Sequence, residues 1–206
     1  SGLTRWGTPL NCVIDNVTMH VPSKIDASNV KTTRVGLDTH AEGWGIVFQN
    51  CNIHVQGDTA NVGIQTRSRN TVFKNCKVFG SYSTDTGNGA KGLRIYGKGA
   101  IVQDCMFEGL WRGVETSYVW NSGLTNNATI DSCTFRKMTH QGIILNDGSG
   151  HTINGCTFCQ CGVISNQTII DFNENKTGHA VTNCTFIKDS AKTAINQKAH
   201  SVNDIK

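Results

Sequence analysis

The chain has 206 residues, only 17% of them charged, and a formal net charge of +4, a mild basic excess that permits a polyanionic partner without demanding one. No apolar run approaches the ~18 residues a membrane helix needs, and no Lys/Arg run, zinc-finger spacing or aromatic-basic motif points to nucleic acid. Neither membrane insertion nor nucleic-acid binding is expected.

The first element is Gly2-Leu3-Thr4-Arg5-Trp6. It is followed by Val13-Ile14-Asp15-Asn16-Val17-Thr18-Met19, two short alternating runs joined by an Asn where the chain must bend. After a loop over residues 20–33 the pair returns as Gly36-Leu37-Asp38-Thr39-His40 and Val47-Phe48-Gln49-Asn50-Cys51-Asn52-Ile53, linked by a corner that carries Glu42 and Trp44. Gly63-Ile64-Gln65-Thr66-Arg67 with Val72–Val78, Gly92-Leu93-Arg94-Ile95-Tyr96 with Ile101–Phe107, and Gly113-Val114-Glu115-Thr116-Ser117 with Thr129–Phe135 continue it. Gly142–Asn146 with Thr152–Phe158, then Ile169–Asn173 with Ala180–Phe186, complete the series. Cysteines at 51, 76, 105, 133, 156 and 184 mark the period, in steps of 25, 29, 28, 23 and 28 residues. A period of this size with short alternating runs predicts a solenoid of three strands per turn, because one turn cannot bury its own apolar side and must stack on the next.

Residues 80–91 and 117–127 are turn-rich and predict excursions from the shaft, the second carrying Tyr118 and Trp120, while Trp111 sits in the link before Gly113. After Phe186 the pattern decays, and residues 191–206 read as a ragged final turn. Six of the nine cysteines share one repeat position and predict a buried free-thiol column, which fits folding in a reducing cytoplasm. Cys156-x-x-Cys159-x-Cys161 has no His at ligand spacing, so neither metal nor cofactor is expected.

Residues flanking the apolar centre of the Gly-initiated strand should face outwards. Stacking then builds one column of Thr4, Asp38, Gln65, Arg94, Glu115, Ile144 and Asp171, and a second of Trp6, His40, Arg67, Tyr96, Ser117, Asn146 and Asn173. Rings stack on sugars and guanidinium groups grip carboxylates, so this strip is the candidate site. Asp38, His40, Arg94 and Glu115 are its candidate catalytic residues; Trp6, Gln65, Arg67, Tyr96, Trp111 and Trp120 are its candidate substrate-binding residues. A glycosidase needs two carboxylates ~5–5.5 Å or ~6.5–9.5 Å apart. At a rung spacing of ~4.8 Å, Asp38 and Glu115 are too distant and Glu115 and Asp171 are marginal.

The repeat, with its three runs per turn, resembles the right-handed parallel β-helix of the pectate-lyase superfamily over nearly the whole chain. The Gly36–His40 and Gly63–Arg67 segments are most similar to bacteriophage tail spikes and neck appendages. That resemblance implies an all-β, single-domain coil over residues 1–206, a piece of a larger homotrimeric virion protein beside other virion components, folded in the host cytoplasm and acting extracellularly. It implies binding of a host surface polysaccharide or related anionic glycopolymer, with depolymerisation by a lyase or hydrolase left open. The calcium-binding acidic cluster of many pectate lyases is not visible on these columns. A non-catalytic structural shaft or capsid-decorating module and a free-standing bacterial polysaccharide lyase or glycosidase are the alternative readings.

Overall fold

The computed structural model describes residues 10–22, 35–39, 43–56, 61–81, 89–117, 127–162, 168–172, 178–187 and, as backbone, 193–197. Among these the chain forms three seven-stranded sheets in which every pairing is parallel. The first sheet stacks Val13–Asp15, Val47–Gln49, Val72–Lys74, Ile101–Gln103, Thr129–Asp131, Thr152–Asn154 and Ala180–Thr182. The second stacks Thr18–Val21, Asn52–Val55, Lys77–Gly80, Met106–Glu108, Thr134–Arg136, Thr157–Cys159 and Thr185–Ile187. The third stacks Val35–Thr39, Val62–Thr66, Lys91–Ile95, Arg112–Thr116, Ile143–Leu145, Thr168–Phe172 and Thr193–Gln197. Each turn of chain contributes one strand to each face, which is the parallel β-helix that the repeat predicts. The strand expected at Gly2–Trp6 lies outside the described residues, whereas part of the segment read as ragged, Thr193–Gln197, pairs with Thr168–Phe172.

Between the first two sheets the chain turns on a single residue per rung. Asn16, Asn50, Asn75, Asp104, Ser132, Gly155 and Asn183 all adopt φ between 51° and 61°, the left-handed region that Asn, Asp and Gly tolerate best. Their side chains also ladder: Asn75 Nδ2 donates to Asn50 Oδ1 at 2.8 Å, and Asn50 Nδ2 to Asp15 Oδ1 at 2.9 Å. In six of these seven rungs the next residue is a cysteine, with Val17 in that slot after Asn16, and its Sγ donates to carbonyls inside the coil, as Cys133 does to Val102 O at 3.5 Å. All nine cysteines are free, and Cys51, Cys76, Cys105, Cys133, Cys156 and Cys184 are buried.

The core fills from all three faces. Phe107, Phe135, Phe158 and Phe186 stack ring on ring at 4.9, 4.9 and 5.1 Å between centroids. Ile64, Leu93, Val114, Ile143 and Ile170 face them in register from the third sheet. The glycine at the second position of the third-sheet strands Val35–Thr39, Val62–Thr66, Lys91–Ile95 and Arg112–Thr116 also points inwards: a Cβ on Gly113 would lie 2.6 Å from Gly142 O and 2.7 Å from the Phe135 ring. The residue before that glycine therefore faces outwards, a third column that the sequence reading did not count.

Candidate functional site

The third sheet's outer face is built as follows. Asp38, Gln65, Arg94, Glu115, Ile144 and Asp171 are paired in register, so the predicted first column exists as a physical stack. Lys91 and Arg112, the outward residues before Gly92 and Gly113, are likewise in register. Their long side chains close over the first column. They cover Glu115, and Gln65 and Asp171 are buried as well, so the face is not the open strip that alternation suggests.

Glu115 is the centre of the arrangement, with its side chain only 6% exposed. Its Oε2 lies 2.8 Å from Lys91 Nζ and 3.1 Å from Arg112 Nη1, and its Oε1 lies 3.7 Å from Arg94 Nε. Burial alone would raise its pKa. The charge and hydrogen bond of Lys91, followed by Arg94 and Arg112, outweigh burial and hold the carboxyl below its usual range. Burial in turn pulls the Lys91 ammonium below its ordinary value, against the opposing pull of Glu115. Three cations thus face one carboxylate, and Arg94 gains nothing better than its long ion pair: its Nε is buried without a hydrogen-bond partner. Arg67 Nε is in the same condition, although Arg67 Nη2 pairs with Asp38 Oδ2 at 3.0 Å.

Trp111 covers this cluster. The Arg112 guanidinium carbon lies 4.0 Å from its ring centroid and Lys91 Nζ lies 5.3 Å away, within cation–π range. On its other contact Trp111 meets the His140 ring at 4.9 Å. Arg112 Nε donates to Gln141 Oε1 at 3.1 Å, and Gln141 Nε2 donates to Asp171 Oδ2 at 3.4 Å, so the network continues to the Asp171 rung. His140 Nδ1 is hydrogen-bonded to Gln141 Oε1.

Of the sequence-predicted residues, Asp38, Gln65 and Arg67 come together at one end, with Gln65 Nε2 donating to Asp38 Oδ2 at 3.0 Å. Arg94, Glu115 and Trp111 come together around Lys91 and Arg112. Tyr96 is buried beside this face in the second column, its N–H on Thr66 O. His40, Trp6 and Trp120 lie outside the described residues. Lys91, Arg112, His140 and Gln141 escaped the sequence reading. The turn-rich composition of residues 80–91 predicts an excursion that includes Lys91, yet Lys91 opens the strand Lys91–Ile95. Lys, Arg and Gln directly before Gly in three successive repeats was the usable signal. Among the described residues no group of three His, Cys, Asp or Glu is placed to hold a metal ion, and no helix is long and apolar enough to cross a membrane.

No protein-family model matches the chain, and neither does any curated protein. Among solved structures the chain is similar to the tailspike receptor binding domain of Siphovirus 9NA, at 12% identity and a TM-score of 0.46, over 97% of this chain and 46% of that one. It is also similar to a mutant tailspike protein of E. coli bacteriophage HK620 in complex with pentasaccharide, at 10% identity and a TM-score of 0.44, over 92% of this chain and 46% of that one. The chain spans about half the length of each.

Proposed function

We propose that this β-helix belongs to a bacteriophage tail spike or neck appendage and binds an anionic polysaccharide of the host surface along its third sheet. The observation that carries the reading is the charge imbalance at Glu115. Lys91, Arg94 and Arg112 surround one ionised carboxylate under an indole, and Arg94 Nε is buried without a hydrogen-bond partner. A buried guanidinium with an unspent donor favours an acceptor from outside, and a carboxylate or phosphate ester on a sugar supplies one. Trp111 adds the flat apolar surface on which a sugar ring packs. In this reading Arg67, Gln65 and Asp38 extend the path towards the first rung, with Tyr96 beside it.

The assembly is read as a homotrimer in the virion tail with other virion components, folded in the host cytoplasm before it meets the glycan. Leu10, Val13 and Trp44, 60%, 60% and 46% exposed, provide apolar surface for a subunit contact. One observation favours a structural shaft instead. Glu115 ties Lys91 and Arg94 on one strand to Arg112 on the next, which is also how a stapled coil would look.

An array of acidic and neutral bacterial polysaccharides separates the two readings. Selective, salt-weakened retention of acidic glycans, reduced in Arg94→Ala, supports the binding role. Equal indifference to both classes supports the shaft.

A further inference from the structure

The outer face of the second sheet carries a different arrangement, independent of the Glu115 cluster. Its outward column begins His20, His54, Phe79, Glu108 and Arg136, in register on successive strands. The first three rings stack, His20 on His54 at 4.8 Å between centroids and 12° between planes, and His54 on Phe79 at 5.1 Å and 21°. Rings stacked along a coil turn their edges outwards, and the ring nitrogens are on those edges. His20 is exposed and His54 half-buried, and among the described residues neither imidazole has a hydrogen-bond partner. The geometry points to a metal site: His20 and His54 chelate one divalent transition ion of the Zn²⁺, Ni²⁺ and Cu²⁺ class, and the ion clamps the first rung of the coil to the second.

Imidazole nitrogen is the ligand these ions share, at a bond of about 2.0–2.1 Å. Two such bonds at a tetrahedral or octahedral angle put the ring centroids about 4.5–5 Å apart, and the strands already hold them at 4.8 Å. Binding then requires only that the rings turn until both nitrogens aim at one point. Phe79 closes the far face of His54, so the ion is held on the His20 side. Hard cations such as Ca²⁺ and Mg²⁺ want carboxylate oxygens. The acid of this column, Glu108, is two strands from His54 and already paired with Arg136 and Lys137. With two protein ligands the site is open, and water completes the coordination sphere. The clamp follows from where the two histidines sit. His20 is on Thr18–Val21, the mostly exposed first strand of the sheet, and His54 is on Asn52–Val55. The Asn52 and Gln56 amides, which donate to Val17 O at 2.9 Å and Val21 O at 2.8 Å, bracket the pair. An ion that binds only the paired strands opposes their opening by mass action.

The test titrates Ni²⁺ and Zn²⁺ into the full chain by calorimetry under reducing conditions, with Ca²⁺ and Mg²⁺ in parallel. One Ni²⁺ per chain is expected, and no uptake of Ca²⁺ or Mg²⁺. His20→Ala and His54→Ala should each weaken Ni²⁺ binding by ~10²-fold or more, and the double variant no further, because either substitution already removes the intramolecular second ligand. Cys12→Ser, which removes an exposed thiol, should change nothing. In the wild type, amide exchange at Asn52 and Gln56 should slow when Ni²⁺ is added, and in the double variant it should not. No Ni²⁺ binding, affinity kept in both single variants, losses that add in the double variant, or equal uptake of Ca²⁺ overturns the site. Binding without slower exchange at those two amides overturns the clamp.

Discussion

Glu115 shows how far a side chain's position can differ from the role its residue type suggests. As a carboxylate on a polar strand face it reads as a catalytic acid or nucleophile. Between Lys91, Arg94 and Arg112 it is a counter-ion, because removing it would leave three cations crowded with nothing between them. Glu115→Gln should therefore destabilise the fold by about 3 kcal/mol, the scale for breaking one partner out of a buried ion pair, as read by chemical denaturation. Arg94→Ala should not, since Lys91 and Arg112 still hold the carboxylate. The acid limb follows from the same residue. The folded pKa of Glu115 is depressed, so its contribution is present above the unfolded carboxyl value of 4.5 and disappears as pH falls through the lower folded one.

His151 gives a separate pH signature away from the site. Its Nε2 lies 2.8 Å from Asp147 O and its Nδ1 accepts from Ala128 N at 3.2 Å, so it is held as the neutral Nε2–H tautomer, stacked on His179. Burial is the main cause of a pKa pushed down to about 4, from 6.5. Between those values the unfolded chain binds the proton and the folded chain does not. Its share of stability, about 3 kcal/mol, is therefore full above pH 6.5 and is lost as pH falls towards 4. Denaturant midpoints measured across that window should show the slope in the wild type and a shallower one in His151→Gln.

At the scale of the element, the repeat was legible because the same local problem recurs in every rung. A corner residue with φ near 53° selects Asn or Asp, the buried slot after it selects Cys, and the stacked ring position selects Phe, so Asp104-Cys105-Met106-Phe107 is a readable unit. The outer face was legible only in part. Strict alternation yields Arg94 and Glu115 correctly, but it reads the residue before Gly92 as loop, because glycine carries no side chain to show that its own position points inwards. Burial was not legible at all, since the closing of Lys91 and Arg112 over Glu115 depends on side-chain reach and not on period. A further device was missed at the corner before the first sheet, where Gly45, Gly99 and Gly150 sit at φ of 64°, 66° and 70°. A Cβ on Gly99 would lie 2.4 Å from Asn70 Oδ1 on the preceding rung. Gly99→Ala should accordingly displace the Asn70 side chain and cost about the 1 kcal/mol of a left-handed alanine, visible as a lowered melting temperature. The cysteine column predicts a chemical behaviour as well: Cys76, Cys105, Cys133 and Cys156 should resist thiol reagents in the native state and react after denaturation.

For the whole molecule, the stack of rungs converts a residue-level charge imbalance into an extended surface. Asp38 and Arg67 lie at one end, the Glu115 cluster in the middle, and Gln141 and Asp171 beyond it, on successive strands of one sheet. In the proposed reading a linear polyanion running along the coil would pass these rungs in turn. The central claim is most directly tested by calorimetric titration of an acidic oligosaccharide, chosen from the tightest array binder, into the wild type and Arg94→Ala at low and high salt. The account predicts wild-type binding that weakens with salt and an Arg94→Ala loss of roughly 1.5–3 kcal/mol, about ten- to a hundredfold in Kd, with an unchanged melting temperature. Equal affinity of the two proteins, independent of salt, would contradict it.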